Sequence, residues 1–349
     1  MCERAGGLDL GGMKSGPGGS GRGVQNSGNF GLLAEAWRDA SVLVVGDALL
    51  DAWLCGKPTR LSREAPVPVI ELDVTREVCG GAANTAANFA ALGARTTLLG
   101  AVGDDDAGAR LRTCVWDSGV ADRLVTAVGR RTVTKRRVVA DGYVLVRFDE
   151  GDTGPLNAIA GETLVRRLEE ALNTEPRPDA VVVCDHGNGT LGGQVRALLG
   201  ARRLDLPLLA VDAHDLLPWA PIGPDLVTPN REEACRVLDK RGDFDRERDR
   251  GQLLRRTGAS VVAVTLDSEG SAVLSLDGES VTTAAPPAPV AHGAGAGGAY
   301  LAGFVLGRLA GAGLAEAAGV AQRCASMAIR GVGTAVVPEK MGVRQRDAV

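Results

Sequence analysis

The chain of 349 residues lacks several features that would place it in common classes of protein. Aromatic residues make up only 3% of it, so it offers little material for stacking on nucleic-acid bases. It has no uninterrupted apolar run of about 18 residues and no apolar signal-peptide core at its N-terminus. Its seven cysteines are scattered, odd in number and never spaced as CxxC, which favours a reduced, cytoplasmic protein over a disulfide framework or a zinc site.

The charge balance also argues against nucleic acid as a partner. The net charge is -4, and the basic runs at 130–137 and 246–256 either lie in strand-like segments or alternate with acids. We therefore expect a solvated face there, with neither a nucleic-acid nor a membrane partner. With 45% hydrophobic residues, mainly Ala, Val and Leu, the chain is long enough for one large α/β domain or two small ones.

Composition divides the chain into tails and a folded region. Residues 1–30 are rich in glycine and show no periodicity, so we expect a disordered tail. A folded domain is expected over 31–340, followed by a second tail over 341–349.

Strand-like and helix-like segments alternate along most of the chain, as "SVLVVGD", "DAVVVCD" and "LPLLAVDA" illustrate. This alternation predicts an α/β fold with an open, mostly parallel sheet and helices on both faces. Asp141-Gly142 separates two segments rich in β-branched residues and predicts a hairpin. Strands at about 60–75 and 131–148 would form a small β lid.

Polar clusters follow directly after several predicted strands: "CDHGNG", "VDAHD", "TPN" and "TLDSEG". In such folds ligands bind at the carboxyl ends of the strands, so these clusters are candidate site residues. The segment "VCGGAANTAANFAALGA" begins a helix with Gly80-Gly81, and Asn84 follows one turn later. Spacing alone leaves open whether these glycines admit a ligand or allow tight packing on the sheet.

Several motifs occur in an order that resembles a known family. "VVGDALLDAWLCGKPTRLSREAPVPVIEL", together with "VCGGAANTAANFAALGA", resembles the PfkB (ribokinase-like) carbohydrate kinases. The combination is most similar to the kinase domain of bacterial heptose kinases, which phosphorylate D-glycero-D-manno-heptose 7-phosphate for ADP-heptose synthesis. The resemblance covers roughly residues 41–337 and implies a ribokinase-like fold with a β lid. Because the chain ends soon afterwards, we expect no nucleotidyltransferase domain to follow.

The resemblance implies a substrate site for a small-molecule sugar phosphate. Asp47 would bind sugar hydroxyls, the glycine pair and Asn84 would frame the ring, and Lys135 with Arg147 would reach a second phosphate. Ordinary lid charge is the alternative for the last two residues. The substrate-binding positions are Asp47, Gly80, Gly81, Asn84, Lys135, Arg147 and Asp185.

The resemblance also implies a nucleotide site for ATP or ADP with Mg²⁺, weakened or lost here. Asn230 and Glu233 match the phosphate and magnesium-water positions, and the turn from Thr265 to Gly270 matches the one beside the nucleotide. Gly295 and Gly297 precede a helix and would provide an anion cradle. We expect no metal site built from close-spaced protein ligands.

This chain departs from the family pattern on the nucleotide side. The lysine of "DYxKG" is replaced by Asn188, and the lysine of "DPK" is replaced by His214. The "ANAAA" motif near the base corresponds to residues 321–325, "AQRCA".

The largest departure concerns the general base. The family pattern D-T-x-G-A-G-D-x-F-x-A-G-F aligns with "HGAGAGGAYLAGF", which places the first aspartate at His292 and the base at Gly298. A second register places the base at Ala296. No Asp or Glu lies between Glu279 and Glu316, so neither register supplies a carboxylate. Loss of a general base slows a reaction by about 10²- to 10⁴-fold, so we expect a pseudokinase that binds ligand with little or no phosphotransfer.

The histidines leave two alternatives open. The chain has three, His186, His214 and His292, and all fall in motifs that the resemblance places around the cleft. They could be coincidental, they could perform acid–base chemistry on a heptose-like sugar phosphate in a repurposed enzyme, or His292 could replace the base of an active ATP-dependent kinase. By resemblance alone, we also expect a homodimer.

Overall fold

The structure is a computed structural model, which describes residues 29–286 and 293–330. The strands are β1 Ser41–Gly46, β2 Ala48–Leu61, β3 Pro68–Gly81, β4 Arg95–Gly103, β5 Ala121–Asp122, β6 Val125–Ala127, β7 Thr134–Ala140, β8 Tyr143–Glu150, β9 Ala180–Asp185, β10 Leu209–Ala213, β11 Leu226–Val227, β12 Val261–Thr265, β13 Ser271–Ser275 and β14 Ser280–Thr283. The α-helices are α1 Asn29–Ala36, α2 Ala82–Ala91, α3 Asp106–Asp117, α4 Ala158–Asn173, α5 Gly193–Ala201, α6 Arg231–Val237, α7 Arg246–Thr257, α8 Ala296–Leu309 and α9 Leu314–Ala328.

A large sheet forms the centre of the molecule. Its strand order is β14-β13-β12-β11-β10-β9-β1-β4-β5, and β6 pairs with β4. All of its strand pairs are parallel except β12-β13 and β13-β14. β1 and β9 are buried almost throughout, which explains why their sequences are continuous apolar runs rather than alternating ones. The predicted open, mostly parallel sheet is confirmed.

Helices cover both faces of this sheet and create two cores. One core contains Trp37, Phe89 and Phe304 and packs α1, α2, α8 and α9 on the sheet. The other contains Trp219 and Leu168 and packs α4 to α7 on the opposite face. No helix among the residues described here is long and apolar enough to cross a membrane.

A four-stranded sheet of order β3-β2-β7-β8 forms the lid. The β7-β8 hairpin turns at Asp141 and Gly142, whose φ values are +50° and +81°, as the Asp-Gly signal predicts. The strand β2 was not predicted from the sequence over residues 48–59. The first residues of β2 are buried on both faces, so the alternation that marks a half-buried strand is absent there.

The predicted domain limits remain a prediction. Helix α1 begins at Asn29, slightly before the expected start at residue 31. Residues 1–28 and 331–349 lie outside the described residues; they include the predicted tail 341–349 and all of the predicted tail 1–30 except Asn29 and Phe30, which belong to α1.

Helices α8 and α9 pack closely because α8 carries glycines on the contact face. A Cβ on Gly303 would lie 2.8 Å from Cys324 Sγ and 3.0 Å from Ala321 Cα, and one on Gly307 would lie 3.2 Å from Ala317 Cα. Gly319 of α9, in contrast, has no atom within 4 Å of a built Cβ.

We expect Gly303→Ala to destabilise the protein and Gly319→Ala to stabilise it, although both replace a helical glycine. Alanine gains up to about 1 kcal/mol of helix propensity at either position, but overpacking at Gly303 costs about 1–3 kcal/mol. Urea unfolding of the two variants beside the wild type measures the difference. Equal stabilisation by both substitutions would show that α8 and α9 leave room for a Cβ at Gly303.

Candidate active site

The N-terminus of α2 lies at the centre of the candidate site. Gly81, its N-cap, has φ +55°, and a Cβ there would lie 2.4 Å from Asp47 O and 3.3 Å from His186 Nδ1. A Cβ on Gly80 would lie 2.8 Å from Asp51 Oδ2. Close packing of this segment against Asp47, Asp51 and His186 therefore requires both glycines.

Asp47 holds the loop that follows β9. Its buried carboxylate accepts hydrogen bonds from three backbone amides: His186 at 2.9 Å, Asn188 at 3.0 Å and Thr190 at 3.1 Å. Three of the about four acceptor sites of this carboxylate are thus used within the protein. Its contact with sugar hydroxyls stays a prediction.

Two of the three histidines lie together at the carboxyl ends of β9 and β10. The rings of His186 and His214 have centroids 5.2 Å apart. His186 Nε2 lies 3.4 Å from Asp212 Oδ2, and His214 Nδ1 lies 2.8 Å from Glu233 Oε1. The third, His292, lies outside the described residues, so its predicted place in the cleft stays a prediction.

The surroundings of His186 favour its charged form. Burial lowers its pKa, but the hydrogen bond and charge of Asp212, followed by the charge of Asp47, outweigh burial and raise the pKa above its ordinary value. Burial also raises the pKa of Asp185, whose carboxylate accepts a hydrogen bond from Trp219 Nε1 at 2.9 Å.

The lid contributes cations to the same region. Lys135 of β7 lies beside Arg147 of β8 on one face of the lid, and burial, followed by the charge of Arg147, lowers the pKa of Lys135. Arg147 forms an ion pair with Asp149 at 2.6 Å. On the same face, Arg137 forms a buried ion pair with Asp51 at 2.6 Å.

The predicted nucleotide-side residues are brought together by β11, α6 and β12. Asn230 caps α6 by accepting a hydrogen bond from Glu233 N, and Glu233 Oε2 accepts one from Asn230 N, both at 2.9 Å. Thr265 forms a parallel bridge with Asn230. Gly270 ends the turn with φ +98°, and a Cβ there would lie 2.1 Å from Thr283 O. A cavity of about 380 Å³, whose lining includes Arg231, Leu266 and Glu269, opens beside this turn.

The glycine-rich segment leads into α8 as expected. Gly295 is the N-cap with φ +88°, and Gly297 has no neighbour within 4 Å of a built Cβ. A Cβ on Gly298 would lie 3.0 Å from Asn84 Oδ1 and 2.9 Å from Thr85 Oγ1. Gly298, one of the two candidate base positions, therefore packs against the first turn of α2.

Two buried polar atoms in this region make no hydrogen bond within the part of the chain that the structure describes. They are Asn188 Nδ2, in the loop after β9, and Thr228 Oγ1, just after β11. Such groups are uncommon in native structures and mark places where water or a ligand binds. In the same described part, no group of three or more His, Cys, Asp or Glu side chains is arranged to hold a metal ion.

Three residues of this site were not predicted from the sequence. Asp51 and Arg137 form the buried pair described above, and Arg130 donates to Asn188 O at 2.6 Å and to Gly154 O at 2.8 Å. Asp51 lies in the quoted "GDALLD" segment, which offered a signal. Arg130 lies in a basic run, and nothing in its sequence distinguishes it from a solvated charge.

Comparison with known proteins agrees with this architecture. The pfkB family carbohydrate kinase model matches residues 39–341. The bifunctional protein HldE of Gluconobacter oxydans is 36% identical over 312 residues, which cover 87% of this chain and 64% of that protein. HldE of Bradyrhizobium diazoefficiens is 33% identical over 320 residues, which cover 88% of this chain and 63% of that protein. The chain thus spans less than two thirds of these relatives.

A solved structure shares the fold at lower sequence identity. Phosphofructokinase-2 from Escherichia coli superposes with a TM-score of 0.72 at 18% identity, covering 87% of this chain and 96% of the other. The match of the family model over most of the chain, the identity with HldE and the shared architecture lead to one conclusion: this chain belongs to the pfkB family of carbohydrate kinases.

Proposed function

We propose that this chain binds a sugar phosphate, a nucleotide or both, and performs little or no ATP-dependent phosphotransfer. The observation that carries the proposal is the packing at Gly298. The position that the resemblance assigns to the base has no side chain, and the first turn of α2 fills the place of its Cβ through Asn84 and Thr85. The sequence contains no Asp or Glu between Glu279 and Glu316 that could replace it.

The family pattern's positive charges near the phosphates are lost in addition to the base that removes the proton. A general base contributes about 10²- to 10⁴-fold in rate, whereas phosphoryl transfer depends mainly on positioning and on charges near the phosphates. Asn188 and His214 replace two lysines of the family pattern. The loss of both cations supports low activity more strongly than the loss of the base alone.

The residues that would hold a magnesium nucleotide fit it poorly. Each Glu233 oxygen already has one contact within the protein, Oε1 with His214 Nδ1 and Oε2 with Asn230 N, and Asn230 Oδ1 accepts from Glu233 N. Magnesium prefers carboxylate and water oxygens that are free to complete an octahedron. We therefore propose weak or absent binding of Mg²⁺-ATP.

Binding of a sugar phosphate has independent support. Asn188 Nδ2 and Thr228 Oγ1 are buried, unpaired polar atoms beside the carboxyl ends of the strands, and half-buried Lys135 faces this region. The quoted motifs resemble the heptose kinases, so a heptose-like sugar phosphate is the ligand class we propose.

A second candidate function is a repurposed enzyme that acts on the same sugar phosphate. It is favoured by the 5.2 Å separation of the His186 and His214 rings and by the carboxylate that each imidazole contacts. A carboxylate orients an imidazole and raises its basicity, as in acid–base catalysis.

We expect D-glycero-D-manno-heptose 7-phosphate to raise Tm without being phosphorylated. A ligand at about 100 times its Kd stabilises the folded state by about 2.7 kcal/mol, which differential scanning fluorimetry detects. Parallel assays measure ADP formation with Mg²⁺-ATP and loss of the sugar phosphate without nucleotide. ATP-dependent turnover of about 1 s⁻¹ or faster would contradict the pseudokinase proposal. Nucleotide-independent conversion would support the second candidate instead.

We expect Gly298→Asp to lower Tm without creating kinase activity. The new Cβ would meet the Asn84 and Thr85 side chains at about 3 Å, and such overpacking costs about 1–3 kcal/mol. Gly297→Asp is the matched control, since its Cβ meets nothing within 4 Å. A gain of about 100-fold or more in ATP turnover by Gly298→Asp would indicate that only the base is missing.

We also propose that the chain forms a homodimer through the outer face of the lid. Val146 and Phe148 of edge strand β8 are 50% and 41% exposed and point away from the face of Arg147. Leu72 and Val74 of the opposite edge strand, β3, are also half exposed. An exposed apolar edge of this kind is typical of a surface covered by a partner.

Phe148→Asp should convert the dimer to a monomer with its Tm nearly unchanged, because the charge would be buried unpaired only in the dimer. Sedimentation equilibrium measures the mass. Trp116→Asp is the control, since Trp116 of α3 is 78% exposed and lies outside the lid. A monomeric wild type would refute the dimer proposal.

A further inference from the structure

Lys135 of the lid is a cation that forms no ion pair with the described carboxylates on its neighbouring strands. Lys135 lies next to Asp51 and Asp149 on adjacent strands, but these carboxylates form ion pairs with Arg137 and Arg147, each at 2.6 Å. Lys135 itself makes no hydrogen bond or ion pair with any residue that the structure describes. An unpaired, half-buried ammonium is costly unless an anion joins it.

The second feature is the orientation of His186. Its side chain is 15% exposed, and Nε2 faces Asp212 Oδ2 at 3.4 Å. Nδ1 makes no hydrogen bond with any residue that the structure describes and lies 3.3 Å from the place that a Cβ on Gly81 would occupy. Since a carboxylate only accepts, Nε2 carries the hydrogen in the neutral ring, and Nδ1 then keeps a free lone pair. Only the protonated ring donates from Nδ1.

The two groups lie on either side of the Gly80-Gly81 pair. Asp51, which pairs with Lys135 across β2 and β7, lies 2.8 Å from where a Cβ on Gly80 would be, and His186 Nδ1 lies 3.3 Å from where one on Gly81 would be. We propose that Lys135 and protonated His186 together bind the anionic group of the sugar ligand, so that affinity falls as pH rises. The inference rests on the proposed function, since it takes a sugar phosphate as the ligand. It gives His186 a binding role instead of that of a proton acceptor.

The other charged groups near His186 already have partners. Asp47 accepts three amides, Asp185 accepts from Trp219 Nε1, and His214 contacts Glu233. The groups that face His186, element by element, are Asp47 after β1, Lys135 on β7, Asp185 on β9, Asp212 on β10 and His214 after β10.

The raised pKa of His186 sets the direction of the pH effect. Burial lowers this pKa, Asp212 and Asp47 outweigh burial, and Lys135 opposes them, so the ring stays charged to a higher pH than usual. Binding should thus be strongest below this pKa and weaken as pH rises through it.

The test measures the affinity of D-glycero-D-manno-heptose 7-sulfate by calorimetry from about pH 6 to about pH 8.5, the range in which histidine titrates. A sulfate ester keeps a single charge throughout, so any pH dependence comes from the protein. The wild type should bind about tenfold more weakly at the upper end, since one charge-assisted hydrogen bond is lost. The parent heptose, without sulfate, should show no such change.

Two variants test which residue causes the pH dependence of binding and which contributes affinity at every pH. His186→Gln should bind with the weak affinity of the high-pH wild type at every pH. Lys135→Met should bind about tenfold more weakly throughout but keep the pH dependence, and it tests the proposal even if His186→Gln fails to fold.

The outcomes separate this inference from the proposed function. Binding that does not vary with pH, or a pH dependence that is lost in His214→Gln and kept in His186→Gln, overturns the two-cation site alone. Absence of binding at every pH, to the sulfate and to heptose 7-phosphate alike, overturns sugar-phosphate binding as well.

Discussion

The carboxylate of Asp47 accepts hydrogen bonds from three backbone amides, one from every second residue of the loop that follows β9. The arrangement of the site depends on this contact. A buried carboxylate is costly unless hydrogen bonds replace its water, and the three amides meet that requirement. Arg130 donates to Asn188 O of the same loop and to Gly154 O of the segment after β8, and so links the two segments. The loop is thereby fixed, and with it the direction in which His186 points.

The N-terminus of α2 lies between the loop after β9 and helix α8, and glycines on both sides allow it to pack closely against them. Gly81 allows the backbone to lie close to Asp47 O and His186 Nδ1, and Gly298 allows α8 to contact Asn84 and Thr85 directly. In the family pattern, the second of these positions carries the base. The chain therefore has the architecture of a carbohydrate kinase together with a direct contact between α8 and α2 at the position that the resemblance assigns to the base, and the proposed binding without transfer rests on this combination.

Much of the fold could be predicted because its signals are local. The buried strands β1 and β9 are continuous apolar runs, the β7–β8 turn is Asp-Gly, and α8 follows a glycine-rich segment. The strand β2 was missed because its first half is buried on both faces and its second half extends into the lid. Its pairing with β3 and β7 is a long-range property that no local pattern encodes.

The site was predictable in its location but only partly in its roles. That polar residues after the strands meet follows from parallel strands ending at one edge. The role of Asp47 did not follow, since its partners lie 139 to 143 residues away. The capping box of Asn230 and Glu233 could be recognised from their spacing, but the contact between Glu233 and His214 could not.

The sequence by itself determined the family, the order of strands and helices, and the absence of an acid between Glu279 and Glu316, because these are properties of composition and local order. Only the tertiary structure decided what each polar group touches. It paired Asp51 with Arg137 and Asp149 with Arg147, left Lys135 without a partner among the described residues, and brought His186 Nδ1 close to Gly81. Such pairings depend on the distances between strands that are far apart in the chain.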